Sequence, residues 1–171
     1  MTIGNAGPAG GAIATQLIDG KKVAADLRER IGQRCAELER AHGVVPGLAV
    51  VLVGDDPASR LYVESKARQA TTVGIRAFDH RLPSSATTAE LRRLIEQLNA
   101  QSDIHGILVQ LPLPPQIDAN DILFALDPGK DVDGFHPLNA GKLVCGMDAV
   151  VPCTPLGCLL LVRSVQPKLA G

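Results

Sequence analysis

Two side chains able to move a proton stand four residues apart in the stretch YVESK, as Tyr62 and Lys66. In a helix that spacing puts them one turn apart on one face, and the chain has no other tyrosine. On spacing alone, a half-buried tyrosine beside a solvated lysine is the simpler reading. Gln110 ends the apolar run GILVQ, just before a proline that stops strand pairing. It is either a strand-end hydrogen-bonder or a ligand contact. Asp131 and Asp133 flank Val132 in a Gly-bounded loop, and taken alone two loop acids are turn formers. In PCTP two prolines frame Thr154, which most simply caps the helix that follows.

These groups need elements to hold them. DGKKVAADLRERIGQRCAELERAHG sets Val23, Leu27, Ile31, Cys35 and Leu38 on one helical stripe, with Gly43 as the stop. Residues 48–53 form a continuous apolar, β-branched-rich run, the pattern of a strand covered on both faces. Asp56 then predicts an N-cap and Pro57 the first turn of a helix. That helix carries YVESK, runs to about residue 73 and closes at Gly74. IRAFDHRL reads as a short strand, and Thr87 with Glu90 as a capping box ahead of Leu91, Leu94, Ile95 and Leu98. HGILVQL reads as a second buried strand, broken at once by PLPP. A short helix near residues 120–126 leads to the loop DPGKDVDGFHP, and a last helix covers about residues 156–165.

Helices alternating with apolar strands predict an α/β domain with a mainly parallel sheet covered by helices on both faces. In such sheets ligands collect outside the carboxyl ends of the strands. The YVESK helix, VQLPLPP and KDVDGFHP all fall there. Residues 1–16 read as a flexible tail before a domain spanning 17–171.

Composition narrows the function. A chain of 171 residues with 46% hydrophobic and 20% charged residues is globular. A net charge of −1 and 2% aromatics exclude an electrostatic or stacking platform for nucleic acid. No apolar run reaches the roughly 18 residues of a membrane span. The four cysteines (35, 145, 153 and 158) lack metal-ligand spacing and read as free thiols in a reducing cytoplasm, with Cys35 a small buried hydrophobe. No metal is expected.

YVESK, GILVQLPLP, PGKDVDGFHPLNAGKL and PCTPLG, in this order, closely resemble the successive motifs of the methylenetetrahydrofolate dehydrogenase/methenyltetrahydrofolate cyclohydrolase family. The likeness covers about residues 17–168. It implies that Lys66 is the catalytic lysine and that Tyr62 lines the folate pocket and positions the pterin. It implies that Gln110 hydrogen-bonds the lysine, that Val109 and Leu111 contact the substrate beside it, and that Asp133 holds the amino-pyrimidine edge. A carboxylate can accept two parallel hydrogen bonds from ring N–H groups. The methenyl intermediate is cationic, and burial together with a neighbouring cation favours a neutral amine able to take protons as water attacks.

The resemblance also implies tetrahydrofolate substrates, a cytoplasmic homodimer, and NADP, or less often NAD, held by a Rossmann domain. No strand, Gly-rich turn and helix follow QPKLAG. The one Gly-rich stretch, GNAGPAGG, precedes every predicted strand and so lacks the context of a dinucleotide fingerprint. The family's later Pro/Gly-rich folate-contacting loop is not in the sequence either. The expectation is therefore the catalytic, N-terminal domain of the bifunctional enzyme, without its Rossmann domain. The alternative is a truncated folate-binding or interaction domain with no activity.

Overall fold

The computed structural model describes residues 17–169; the expected flexible tail, residues 1–16, lies outside them. Asp19 caps the first helix, α1 (Gly20–His42), by accepting from the Lys21 and Lys22 N–H groups, and Gly43 ends it at φ 66°. β1 (Gly47–Val53), α2 (Pro57–Thr72), β2 (Arg76–Leu82), α3 (Thr88–Ala100), β3 (Gly106–Val109) and α4 (Ala119–Ala125) follow. After them come α5 (Pro137–Val144) and α6 (Cys153–Val165).

The three strands form one parallel sheet in the order β2-β1-β3. Successive side chains of β1 point to opposite faces. Ala49, Val51 and Val53 join Leu91, Ile95 and Leu98 of α3 and Ile122 of α4, while Val50 and Leu52 meet Val63 of α2. Helices thus cover both faces, as the alternation predicts. β1 shows no polar alternation because neither of its faces meets water.

Four points depart from expectation. β3 ends at Val109 rather than at residue 111. The Gln110 N–H still reaches the Val51 carbonyl at 2.9 Å, but Pro112 has no N–H with which to continue the ladder. α6 starts at Cys153, so Thr154 lies inside its first turn; Pro152 is the cap residue, and no side chain caps this helix. The helix α5 was not anticipated. It is capped by His136, whose Nδ1 accepts from the Leu138 N–H at 3.0 Å, and its one buried side chain is the polar Asn139. The apolar stripe of α1 is also less covered than its periodicity implies. Cys35 is buried against Gly74, but Val23, Leu27 and Ile31 are half-buried and Leu38 is exposed.

Candidate active site

The strands are parallel, so their carboxyl ends lie on one side of the sheet, and the segments leaving them meet there. β1 passes into α2 through Gly54, and Asp56 holds the start of the helix by accepting from the Ser59 N–H at 2.7 Å. Further along α2, Lys66 is half-buried and its Nζ donates to Gln110 Oε1 at 3.1 Å. Gln110 Nε2 donates to the Leu111 carbonyl at 2.6 Å, which leaves the amide oxygen to face the amine. Tyr62, one turn before Lys66, is 64% exposed, so most of its ring is free to meet a ligand. Glu64 points away and pairs at the surface with Arg81 at 3.8 Å. Val109 places its side chain in the core, so only its backbone can face the site. Leu111 is half-buried.

The loop between α4 and α5 brings two acids of opposite character. Asp131 is buried, and its carboxylate accepts from the Gly134 N–H, the His136 N–H and Asn139 Nδ2 at 3.0, 2.8 and 3.0 Å. Asp133 is half-buried, and no described residue hydrogen-bonds its carboxylate. Burial pushes the Asp133 carboxyl above the usual carboxylate range; the Lys66 ammonium opposes this and the Asp131 carboxylate adds to it. Asp133 and Lys66 therefore lie close enough to feel each other's charge, but the side chain in contact with the amine is Gln110. Gly134 is required here: its φ is 70°, and an added Cβ would lie 3.0 Å from the Val150 carbonyl oxygen and the Pro152 nitrogen.

That approach brings in a residue the sequence reading did not assign to the site. Cys153, at the start of α6, donates from Sγ to the Val132 carbonyl at 3.4 Å. Burial pushes its thiol up, the Asp133 carboxylate adds to this, Lys66 opposes it, and Asp131 adds again. A thiol held protonated in this way is a donor rather than a nucleophile. The signal was PCTP itself, whose cysteine is carried to the site because α6 starts three residues earlier than expected.

The cluster thus holds a half-buried amine fixed by a neutral amide, an unpaired carboxylate, a protonated thiol and an open aromatic ring. It can grip a flat heterocycle by two N–H groups and move a proton beside it. A dinucleotide fits the described residues poorly. Each strand-to-helix turn already carries a carboxylate: Asp56 and Asp118 accept from the first N–H groups of α2 and α4, and in the capping box of α3 the Glu90 carboxylate accepts from the Thr87 N–H while the Thr87 hydroxyl accepts from the Glu90 N–H. A pyrophosphate there would meet negative charge instead of free N–H groups.

Residues 18–133 match a family model described as "Tetrahydrofolate dehydrogenase/cyclohydrolase, catalytic domain". The chain is 58% identical over 156 residues to Bifunctional protein FolD of Rhodospirillum centenum, covering 91% of this chain and 51% of that protein. It is 52% identical over 159 residues to the protein of the same name from Nitrobacter winogradskyi, covering 93% and 54%. Among solved structures, the bifunctional FolD methylenetetrahydrofolate dehydrogenase/cyclohydrolase of Campylobacter jejuni superposes with a TM-score of 0.88 at 43% identity, over 91% of this chain and 55% of the other. The Trypanosoma brucei methylenetetrahydrofolate dehydrogenase-cyclohydrolase, complexed with NADP cofactor and inhibitor, gives a TM-score of 0.87 at 35% identity, over 91% and 54%. The chain spans about half the length of the curated relatives it matches.

Proposed function

The chain belongs to the tetrahydrofolate dehydrogenase/cyclohydrolase family, and from that premise we propose that it supplies the folate-binding, proton-transferring half of a bifunctional enzyme of one-carbon metabolism. The intact protein oxidises 5,10-methylenetetrahydrofolate to the 5,10-methenyl form and hydrolyses that to 10-formyltetrahydrofolate. The observation that carries this reading is the 3.1 Å contact between Lys66 and Gln110, beside a carboxylate left without a partner.

Asp133 accepts from two N–H groups on the amino-pyrimidine edge and fixes the ring's orientation. The Tyr62 ring forms the open wall against which the pterin lies. Gln110 holds the Lys66 amine without adding charge, so that it can lose its proton beside a cationic intermediate and take one from the attacking water. Val109 and Leu111 border the ligand through backbone and half-buried side chain respectively. When bound, NADP would supply the hydride acceptor for the dehydrogenase reaction, and it would be held by residues other than those described. A homodimeric, cytoplasmic intact protein is proposed on family membership alone.

The division of labour is tested with the 171-residue chain itself. Supplied with 5,10-methylenetetrahydrofolate and NADP, it is expected to form no methenyl product above the uncatalysed rate, with circular dichroism confirming that it is folded. NADP-dependent formation of the methenyl absorbance by this chain would overturn the assignment of the cofactor site to other residues.

A further inference from the structure

We propose that Asp131 is a positioning residue, which sets the loop carrying Asp133 and so aims that carboxylate at the folate. The inference rests on the reading of Asp133 as the ring-binding acid. Asp131 is 2% exposed, and its three accepted hydrogen bonds come from three different parts of one segment. The Gly134 N–H follows Asp133 directly, the His136 N–H belongs to the cap residue of α5, and Asn139 Nδ2 comes from the first turn of that helix. Asn139 Nδ2 also donates to the Pro128 carbonyl at 2.9 Å, which ties the helix to the start of the loop. A carboxylate holding three donors is charge-assisted at each of them. The backbone on both sides of Asp133 therefore closes around one buried anion.

The loop is also anchored from outside. Lys130 Nζ donates to the Leu98, Asn99 and Gln101 carbonyls at 3.2, 2.7 and 2.8 Å, closing the end of α3. The Ile107 N–H donates to the Lys130 carbonyl at 2.7 Å, and Ile107 forms a parallel bridge with Asp131, so the loop lies alongside β3. Asp133 is the one acid of the loop facing the site, and it makes no hydrogen bond to any described residue that could hold it there. Its aim is set by its backbone, and Asp131 holds that backbone. The two acids look alike in sequence, but one binds and the other positions.

The test is a double-mutant cycle in the intact protein, read as the dissociation constant of a tetrahydrofolate analogue. The measurement is made well below each variant's unfolding midpoint. Asp131→Asn turns one acceptor toward its donors as a donor, and is expected to weaken the analogue roughly ten- to a hundredfold through misplacement of Asp133. In the Asp133→Asn background the same change is expected to have little effect, within about twofold, because there is no aimed carboxylate left to misplace. A merely structural role would give the same fold-loss in both backgrounds, and that result overturns the proposal while leaving the folate reading intact. If Asp133→Asn alone leaves affinity unchanged, the folate reading of Asp133 fails and the proposal falls with it. Should Asp131→Asn not fold, Asn139→Ala removes one of the three donors and is expected to show the same loss confined to the Asp133 background.

Discussion

Replacing Lys66 by Met in the intact protein is expected to lower methenyl hydrolysis by roughly a hundred- to ten-thousandfold, the range for removing a positioned proton carrier. The thermal midpoint should stay close to that of the parent. The methionine stem keeps most of the apolar contact along α2, and the lost contact to Gln110 Oε1 lies in a half-buried site where water can replace the amine. A loss carried by kcat with the fold intact identifies the amine with the chemistry. Hydrolysis that continues undiminished in Lys66→Met, followed spectrophotometrically as the methenyl absorbance decays, would move the base to another residue. Cys153 is a poor substitute, because its surroundings keep the thiol protonated.

Asp133→Asn should weaken a tetrahydrofolate analogue by roughly 5- to 150-fold. The amide presents a donor to a ring N–H, leaving a mismatch of about 1–3 kcal/mol, at about 1.4 kcal/mol per factor of ten. Stability should move the other way. The folded-state pKa of Asp133 is raised, mainly by burial, so folding favours the protonated form. The stability this group contributes is present below the ordinary carboxylate pKa and lost as pH rises through the raised value. At neutral pH the ionised side chain is therefore a cost, and asparagine removes it. The expected pair of results is weaker binding with a thermal midpoint no lower than the parent's, from titration calorimetry and thermal unfolding. For the parent, affinity should decline on acidification from a higher pH than an ordinary aspartate would give. Tighter or unchanged binding in Asp133→Asn would remove this residue from the pocket.

Much of this architecture was legible in the sequence because it rests on local signals. Asp56, the Thr87–Glu90 box and the glycines at 43 and 74 mark helix ends through backbone chemistry that needs no tertiary context. Residues 48–53 announced a doubly covered strand because both faces needed apolar side chains. The helix α5 was hidden because periodicity searches for a buried apolar face, and α5 buries Asn139 instead. The start of α6 was misplaced because Thr154 looked like a cap, whereas Pro152 and Pro155 let the helix begin at Cys153. The site divides in the same way. Tyr62 and Lys66 share a face by helical geometry, which spacing reveals. The meeting of Lys66 with Gln110, 44 residues away, comes from the parallel packing of β1 and β3. Spacing could not separate Asp131 from Asp133 either, since the two differ in tertiary surroundings: Asp131 is buried with three donors, and Asp133 is half-buried with none among the described residues.

The pH–rate profile of methenyl hydrolysis in the Gln110→Glu variant of the intact protein tests the central claim most directly. Lys66 is held by a neutral amide oxygen at 3.1 Å, and as the base it must be unprotonated to accept a proton from water. A carboxylate in the amide's place favours the ammonium and keeps its proton on. Activity is lost as pH falls through the base's titration, so the acid limb of the profile should move to higher pH in Gln110→Glu while the folate affinity set by Asp133 is largely kept. An acid limb that stays where it is in the parent protein would contradict the claim, since Lys66 would then not be the group whose proton governs the rate.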